Sequence, residues 1–266
     1  MYKVIFTDMD GTLLNKQSQI SEATAQAIKE AKAKGVHFLP CTGRVPYDLQ
    51  KLIDGTVLKM DNYISCNGAV VVCDNKVIHK VTVKTEYVKK ICDFVIKEGM
   101  FIRFYTEDTI YGFDCCKIPD DYWGTMPKML SYDDGMAMID KSNILKMTIV
   151  DNYPEKLKNI EMKLREFTNN EVHFTYTNAR FLEIVTKGEN KGKGVKIFCD
   201  ALGVSTERAI GIGDNENDIA LLEACGLPCS VSNGTEAVKK VCKYISPYSN
   251  DEDGVKDIID RFVLSN

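Results

Sequence analysis

An apolar run, Val4-Ile5-Phe6-Thr7, stops on two carboxylates, Asp8 and Asp10, with Gly11 directly behind them. A second run, Ala209-Ile210-Gly211-Ile212-Gly213, stops in the same way on Asp214. Short apolar runs without polar alternation read as strands buried on both faces, as in parallel sheets covered by helices. In such open sheets functional groups gather at the carboxyl ends of the strands, where both acidic clusters stand. Strand-like and helix-like periodicity alternate along the rest of the chain, so an α/β fold is expected.

Local signals fill in that outline. Ser21 can cap a helix ending at Gly35, and residues 36–40 form the next strand. Tyr63-Ile64-Ser65-Cys66 reads as a strand closed by the turn pair Asn67-Gly68. A helix starts near Lys191 and carries Val195, Phe198, Cys199 and Leu202 on one face. The middle of the chain behaves as its own unit. Thr85 is a possible cap before the apolar face of Val88, Ile91, Cys92 and Val95, and Pro154 suits a first helical turn before Leu157, Ile160 and Leu164. Strands are expected over 101–105, 144–150, 172–176 and 181–185. The organisation this predicts is a core formed by residues 1–83 and 187–266, with a second α/β domain, 84–186, inserted into it.

At 266 residues the chain corresponds to roughly 1.8 domains of average size. Lys and Arg total 34 against 38 Asp and Glu, a net charge of −4 that gives no bulk electrostatic case for nucleic acid. The longest obvious apolar run, Ala69 to Cys73, is far short of the ~20 residues of a membrane span. The charge at Asp8 breaks any signal-peptide core at the N-terminus. Ten cysteines are scattered with no Cys-x-x-Cys, and His37, His79 and His173 complete no zinc pattern. Reduced thiols in a cytoplasmic protein are the expectation.

Alone, Asp8-Met9-Asp10-Gly11 is more often a solvated turn than a site. It is no EF-hand, because Gly11 falls at the fourth loop position and Gln19 replaces the bidentate Glu. The second cluster, Gly213-Asp214-Asn215-Glu216-Asn217-Asp218, changes the odds. If Asp214 closes a strand and Asp218 opens the helix of Ile219 and Leu222, both can face the first pair. Their number suits a hard cation such as Mg²⁺. Gly188, Gly192 and Gly194 lack P-loop spacing, and Gly211-x-Gly213 lacks the third glycine of a dinucleotide fingerprint.

Taken together these segments resemble the haloacid dehalogenase superfamily, and within it the Cof-type, sugar-phosphatase-like branch with a large α/β cap. Four motifs carry the resemblance in order: Asp8-Met9-Asp10-Gly11-Thr12, Thr42-Gly43-Arg44, Asn190-Lys191-Gly192, and Gly213-Asp214 through Asn217-Asp218. Cys66-Asn67-Gly68-Ala69 resembles a further segment of that branch. Val231-Ser232-Asn233-Gly234 departs from the turn usual there, at no catalytic position.

The resemblance implies a Rossmann-like three-layer α/β/α core with an inserted α/β (C2-type) cap. It implies a Mg²⁺-dependent phosphatase acting on small phosphate esters, with sugar phosphates as the expected class and with neither nucleic acid nor membrane as partner. Asp8 would be the nucleophile and Asp10 the general acid and base. Asp8, the backbone carbonyl of Asp10 and Asp214 would hold the metal, with Asp218 supporting them. Thr42, Gly43, Lys191 and Asn217 would bind phosphate, while Arg44 either reads substrate or caps local structure. A phosphate dianion 4 Å from ionised Asp8 meets roughly 8 kcal/mol of repulsion at an effective dielectric of about 20, which is what Mg²⁺ and Lys191 would offset. Tyr105, Tyr111, Trp123 and Tyr176 could stack on a sugar, although packing is the commoner role for aromatics. The alternatives are a phosphomutase or phosphotransferase with the same nucleophile, and a phosphosugar-binding regulator without turnover.

Overall fold

The computed structural model describes residues 1–122 and 124–265, the side chains of Thr177 and Asn178 aside; Trp123, one of the aromatics singled out above, lies outside the described residues. The chain begins with strand β1 (Val4–Thr7) and helix α1 (Glu22–Ala33), whose N-cap Ser21 accepts a hydrogen bond from the Thr24 amide. Next come β2 (His37–Pro40), α2 (Pro46–Ile53), and three short strands, β3 (Tyr63–Ser65), β4 (Val70–Cys73) and β5 (Lys76–Lys80). Helix α3 (Thr85–Lys97) is followed by β6 (Phe101–Tyr105), β7 (Ile110–Phe113), β8 (Lys128–Leu130) and α4 (Tyr132–Lys141). Then come β9 (Lys146–Val150), α5 (Pro154–Phe167), β10 (Val172–Asn178) and β11 (Phe181–Thr186). The chain closes with α6 (Lys191–Leu202), β12 (Ala209–Gly213), α7 (Ile219–Ala224), β13 (Leu227–Ser230), α8 (Glu236–Val241), β14 (Tyr244–Ile245) and α9 (Gly254–Ile259).

These elements form two compact units, one of Met1–Arg44, Leu49–Lys80 and Asn190–Asn266, the other of Val45–Asp48 and Val81–Glu189. The first unit is built on a parallel sheet in the order β14-β13-β12-β1-β2. Val4 and Phe6 pack with Val195, Phe198 and Cys199 of α6 and Leu221 of α7. Alternation turns Ile5 to the opposite face, where α1 packs against α9. Helices therefore cover both faces, which is why β1 and β12 carry no polar alternation. The antiparallel sheet β3-β4-β5 joins this unit beside β2 through a bridge between Cys41 and Ile64. The connections leave β1 in opposite directions, to β2 on one side and β12 on the other. That reversal is the switch point where open α/β sheets place ligands.

The second unit is a six-stranded sheet in the order β10-β11-β9-β6-β7-β8. Ile102, Ile149 and Leu182 lie in one register row, and Phe104, Met147 and Ile184 in another, all buried with residues of α3 and α5. On the alternate face Arg103, Thr148 and Glu183 are neighbours, as are Tyr105 and Lys146. Pro154 opens α5 as expected from its fixed φ. Thr85 does not cap α3: the N-cap is Lys84, without a side-chain hydrogen bond, and Thr85 is already helical. All ten cysteines are free, and most are buried. Among the described residues no helix is long and apolar enough to cross a membrane.

Candidate active site

Three strand ends of the first unit converge. Asp8 follows β1, Thr42 lies just past β2, and Asp214 follows β12. The Asp8 amide donates to the Ile212 carbonyl at 2.8 Å, which continues the β1–β12 ladder into the loops and holds them in register. Gly11 makes the close approach possible. Its φ is 84°, and a Cβ there would stand 2.6 Å from Asp214 Oδ2. Thr12 Oγ1 donates to Asp214 Oδ1 at 2.5 Å, which ties the two acidic loops together through side chains.

Lys191, the first residue of α6, has no solvent exposure and lies between two carboxylates. Its Nζ donates to Asp8 Oδ1 at 2.6 Å and to Asp218 Oδ1 at 2.5 Å. The remaining oxygen of Asp218 accepts from the amides of Asp214 at 3.0 Å and Asn215 at 3.1 Å, so this carboxylate both caps the turn and anchors the lysine. Asn190 caps α6 by accepting from the Lys193 amide, which fixes the helix start that aims Lys191.

One carboxylate oxygen from each of Asp8, Asp214 and Asp218 lies within 4.8 Å of the others. Three carboxylates against one ammonium leave two negative charges uncompensated, the charge of one divalent cation. Burial raises the Asp8 carboxyl well above its ordinary pKa, and Asp218 adds to the rise while Lys191 opposes it. Burial likewise lifts Asp214 to about 6, against the hydrogen bond from Thr12. Burial alone would depress the Lys191 ammonium, but Asp218 and Asp8 outweigh it and hold its pKa above the ordinary lysine value. The donor set is hard, oxygen-only and over-charged, which fits Mg²⁺.

Asp10 stands apart from this cluster. Its carboxylate, nearly half exposed, accepts from Arg44 Nε at 2.7 Å and Nη2 at 2.6 Å in a bidentate fork. Of the two roles open for Arg44, the structure displays a contact with Asp10. Thr42 is buried, and its hydroxyl accepts from the Arg44 amide at 3.2 Å. Gly43 and Asn217 are half-buried, Gly43 beside Thr42 and Asn217 in the turn that Asp218 caps. Tyr105, Tyr111 and Tyr176 belong to the second unit, where Tyr111 stacks on Phe104 and Tyr176 donates to Glu161.

Two contacts have no local sequence signal. Thr12 reaches Asp214 as described, and Asn233 Nδ2 donates to the Gly11 carbonyl at 2.8 Å. The Thr235 amide also donates to the Asp214 carbonyl at 2.8 Å. The segment from Val231 to Thr235 thus braces both acidic loops without supplying a carboxylate.

The family model described as haloacid dehalogenase-like hydrolase matches residues 5–259, nearly the whole chain. The chain belongs to the haloacid dehalogenase-like hydrolases. The Cof-type, sugar-phosphatase-like branch expected from the motifs agrees with its relatives. This hydrolase is 27% identical over 288 residues to the 5-amino-6-(5-phospho-D-ribitylamino)uracil phosphatase YwtE of Bacillus subtilis, covering 98% of each chain. It is 30% identical over 276 residues to an Arabidopsis thaliana protein named chloroplastic endoribonuclease YBEY, matching 99% of this chain but 47% of the plant protein. The hydrolase spans about half the length of that relative. In fold it is similar to the subclass IIB sugar phosphatase BT4131, with a TM-score of 0.80, 23% identity and 98% of each chain covered. Family and relatives make this hydrolase a phosphatase.

Proposed function

We propose that this phosphatase hydrolyses small phosphorylated metabolites through a phosphorylated Asp8, with Mg²⁺ as cofactor. The observation that carries the reading is the contact of buried Lys191 with both Asp8 and Asp218, inside a cluster that also contains Asp214. Asp8, Asp214 and the backbone carbonyl of Asp10 would hold Mg²⁺, with Asp218 supporting them. When bound, the ion supplies the positive charge that lets an anionic carboxylate approach an anionic phosphate.

The chain's own residues account for the remaining steps. Lys191 holds Asp8 in place and neutralises charge beside it. Asp8 attacks phosphorus as the ester P–O bond breaks, and Asp10 gives its proton to the leaving oxygen. Asp10 then takes a proton from water, which attacks the same phosphorus and returns Asp8 to a free carboxylate. Thr42, Gly43 and Asn217 serve as neutral donors to the phosphoryl oxygens. Arg44 positions the ionised form of Asp10, the form that takes the proton from water, through its two-pronged contact. The inserted domain, residues 84–186, is the cap that selects among substrates.

The substrate class proposed is a phosphorylated sugar or sugar alcohol. Its support is the phosphoribityl ester in the printed name of YwtE and the sugar-phosphatase fold of BT4131. Pyridoxal phosphate and flavin mononucleotide are further esters to assay. The free cysteines and the charge of −4 support a cytoplasmic enzyme that does not act on nucleic acid.

The test is release of inorganic phosphate from a panel of such esters, with and without Mg²⁺. Borohydride added during turnover should reduce the acyl phosphate and leave homoserine at position 8, read by mass spectrometry. Full turnover after complete metal removal would overturn the cofactor assignment. An isomeric ester in place of inorganic phosphate would make the chain a phosphomutase. Binding of phosphosugars without any turnover would make it a regulator.

A further inference from the structure

Strand β2 pairs with β1 from His37 to Pro40 on one side, but on its other side the chain is bridged only beyond the strand end, between Cys41 and Ile64, among the described residues. Segment 57–62, which leads into β3, therefore diverges from the start of β2. A cavity of about 460 Å³ opens between them, walled also by the last turns of α1. About 13 Å of β1 separates Val4, the partner of His37, from Asp8, so the cavity lies at the opposite end of the sheet from the carboxylate cluster.

The wall of this cavity is rich in donors without an anion. Lys29, Lys32 and Lys59 line it, and none of them forms an ion pair among the described residues. Asp61 is the carboxylate on the wall, and it pairs with none of them, which leaves the lining two charges positive. Lys32 is half-buried, and its Nζ donates to the Val57 carbonyl at 3.2 Å. Burial pulls its ammonium pKa down, with Asp61 opposing and Lys59 adding to the fall. The main chain contributes as well. His37 and Cys41 give their amides to the Lys3 and Thr7 carbonyls of the β1 side, so the alternation of a parallel ladder turns the Phe38 amide to the cavity side. Asn62 Oδ1 is taken by the Asp74 amide at 3.0 Å, which leaves Nδ2 as the donor of that side chain.

We propose that this cavity binds a small molecule through a phosphoryl group, held by the ammonium groups of Lys29, Lys32 and Lys59 and by the Phe38 amide. Three lysines against one aspartate match a phosphoryl dianion, whereas a single carboxylate would leave one charge over. Lysine meets phosphate as a point charge and needs no planar fork. The site uses no residue of the Asp8 cluster, so it is independent of the reaction proposed above.

The full chain labelled with carbon-13 at histidine Cε1 tests this. Of its three histidines, His37, His79 and His173, only His37 lines the cavity. At fixed pH and ionic strength, with chelator present, the chain is titrated with inorganic phosphate and, separately, with phenylphosphonate, whose C–P bond is not an ester. At least one of the two should move the His37 signal saturably and leave His79 and His173 in place. The tighter arm tells free phosphate from a phosphoryl group on an organic body. The exposed pair Lys29→Gln/Lys59→Gln should bind at least about tenfold more weakly, at an unchanged melting temperature without ligand. Lys32→Met should lose the shift, and Asp8→Asn should bind as the wild type does. A wild-type titration without a saturable His37 shift overturns the proposal with no variant needed. Wild-type affinity in both lysine variants also overturns it. So does loss of the shift in Asp8→Asn, which would mean that His37 reports the catalytic centre.

Discussion

Lys191 Nζ reaches Asp8 Oδ1 at 2.6 Å across 183 positions of sequence, from a site without solvent exposure. The same ammonium holds Asp218 at 2.5 Å, so two buried carboxylates depend on one cation. Lys191→Met should therefore cost about 3–5 kcal/mol of stability as well as turnover, because the freed carboxylates lose their partner inside the fold. Urea denaturation with chelator present measures it. A midpoint equal to the wild type would show that Lys191 does not carry the charge balance.

Asp8→Asn separates chemistry from stability. The amide cannot form an acyl phosphate, so turnover should vanish. Removing a carboxylate that burial and Asp218 already drive toward protonation should leave the metal-free protein at least as stable as before. Calorimetry beside the phosphate-release assay gives both numbers, and residual turnover at the wild-type rate would reject Asp8 as nucleophile.

The Arg44–Asp10 pair is half exposed, so its stabilising effect is small, about 0.2–1 kcal/mol. Its effect on rate should be larger. Arg44→Ala leaves the Asp10 carboxylate unheld, and misplacement of such a group can cost on the order of 10²-fold. The expected pattern is a nearly unchanged melting temperature with a fall in kcat greater than any change in KM.

Protonation of Asp214 links stability to pH in the metal-free protein. In the folded chain this carboxyl keeps its proton up to about pH 6, whereas an unfolded Asp loses it near 3.9. Between those values the folded state binds more protons, so this contribution is complete at the acid end and is lost as pH rises toward 6. The loss amounts to about 3 kcal/mol over the window. His173, whose imidazole pKa burial and Arg165 push down, works in the opposite direction. The difference between wild type and Asp214→Asn, measured in chelator from pH 4 to 7, reads this effect together with the relief that loss of the Asp214 charge gives Asp8. Mg²⁺ should abolish it by binding the deprotonated cluster, and its apparent affinity should weaken below about pH 6.

Gly11→Ala tests the close approach of the two acidic loops. A side chain there meets both a left-handed φ of 84° and an Asp214 oxygen 2.6 Å away. About 1–3 kcal/mol of backbone strain is expected. Mg²⁺ affinity, measured by calorimetry, should fall with it, and an unchanged affinity would show that the loops can separate without harm to the site.

Much of the frame was legible because burial leaves a mark on the chain. Val4 to Thr7 and Ala209 to Gly213 are strands covered on both faces, and their uninterrupted apolar runs say so. Strand β5, Lys76–Lys80, is largely exposed and carries charge at both ends, so periodicity hides it. Strand β8 has three residues and offers no pattern to read. In the site, Asp8 and Asp214 were visible from their places at strand ends, and Lys191 from the segment it shares with the family. The Thr12–Asp214 and Asn233–Gly11 contacts join residues 202 and 222 positions apart. Neither leaves a local signature, because side chains of common types meet there only once the sheet has assembled. Arg44 stands in the segment Thr42-Gly43-Arg44 shared with the family, but its grip on Asp10 depends on how the loop after β2 folds back.

The pairing of Val4 with Ala209 also has a consequence for how the polypeptide emerges from a ribosome. Strand β1 is made before the stretch from Val81 to Glu189, yet one of its two sheet neighbours, β12, and the lysine beside Asp8 are made after it. Until then the nascent chain carries Asp8 as an idle side chain, while the stretch from Val81 to Glu189 already has every strand of its own sheet. Synthesis thus imposes an order of its own, and the Asp8 cluster cannot assemble before Lys191 and Asp214 are translated.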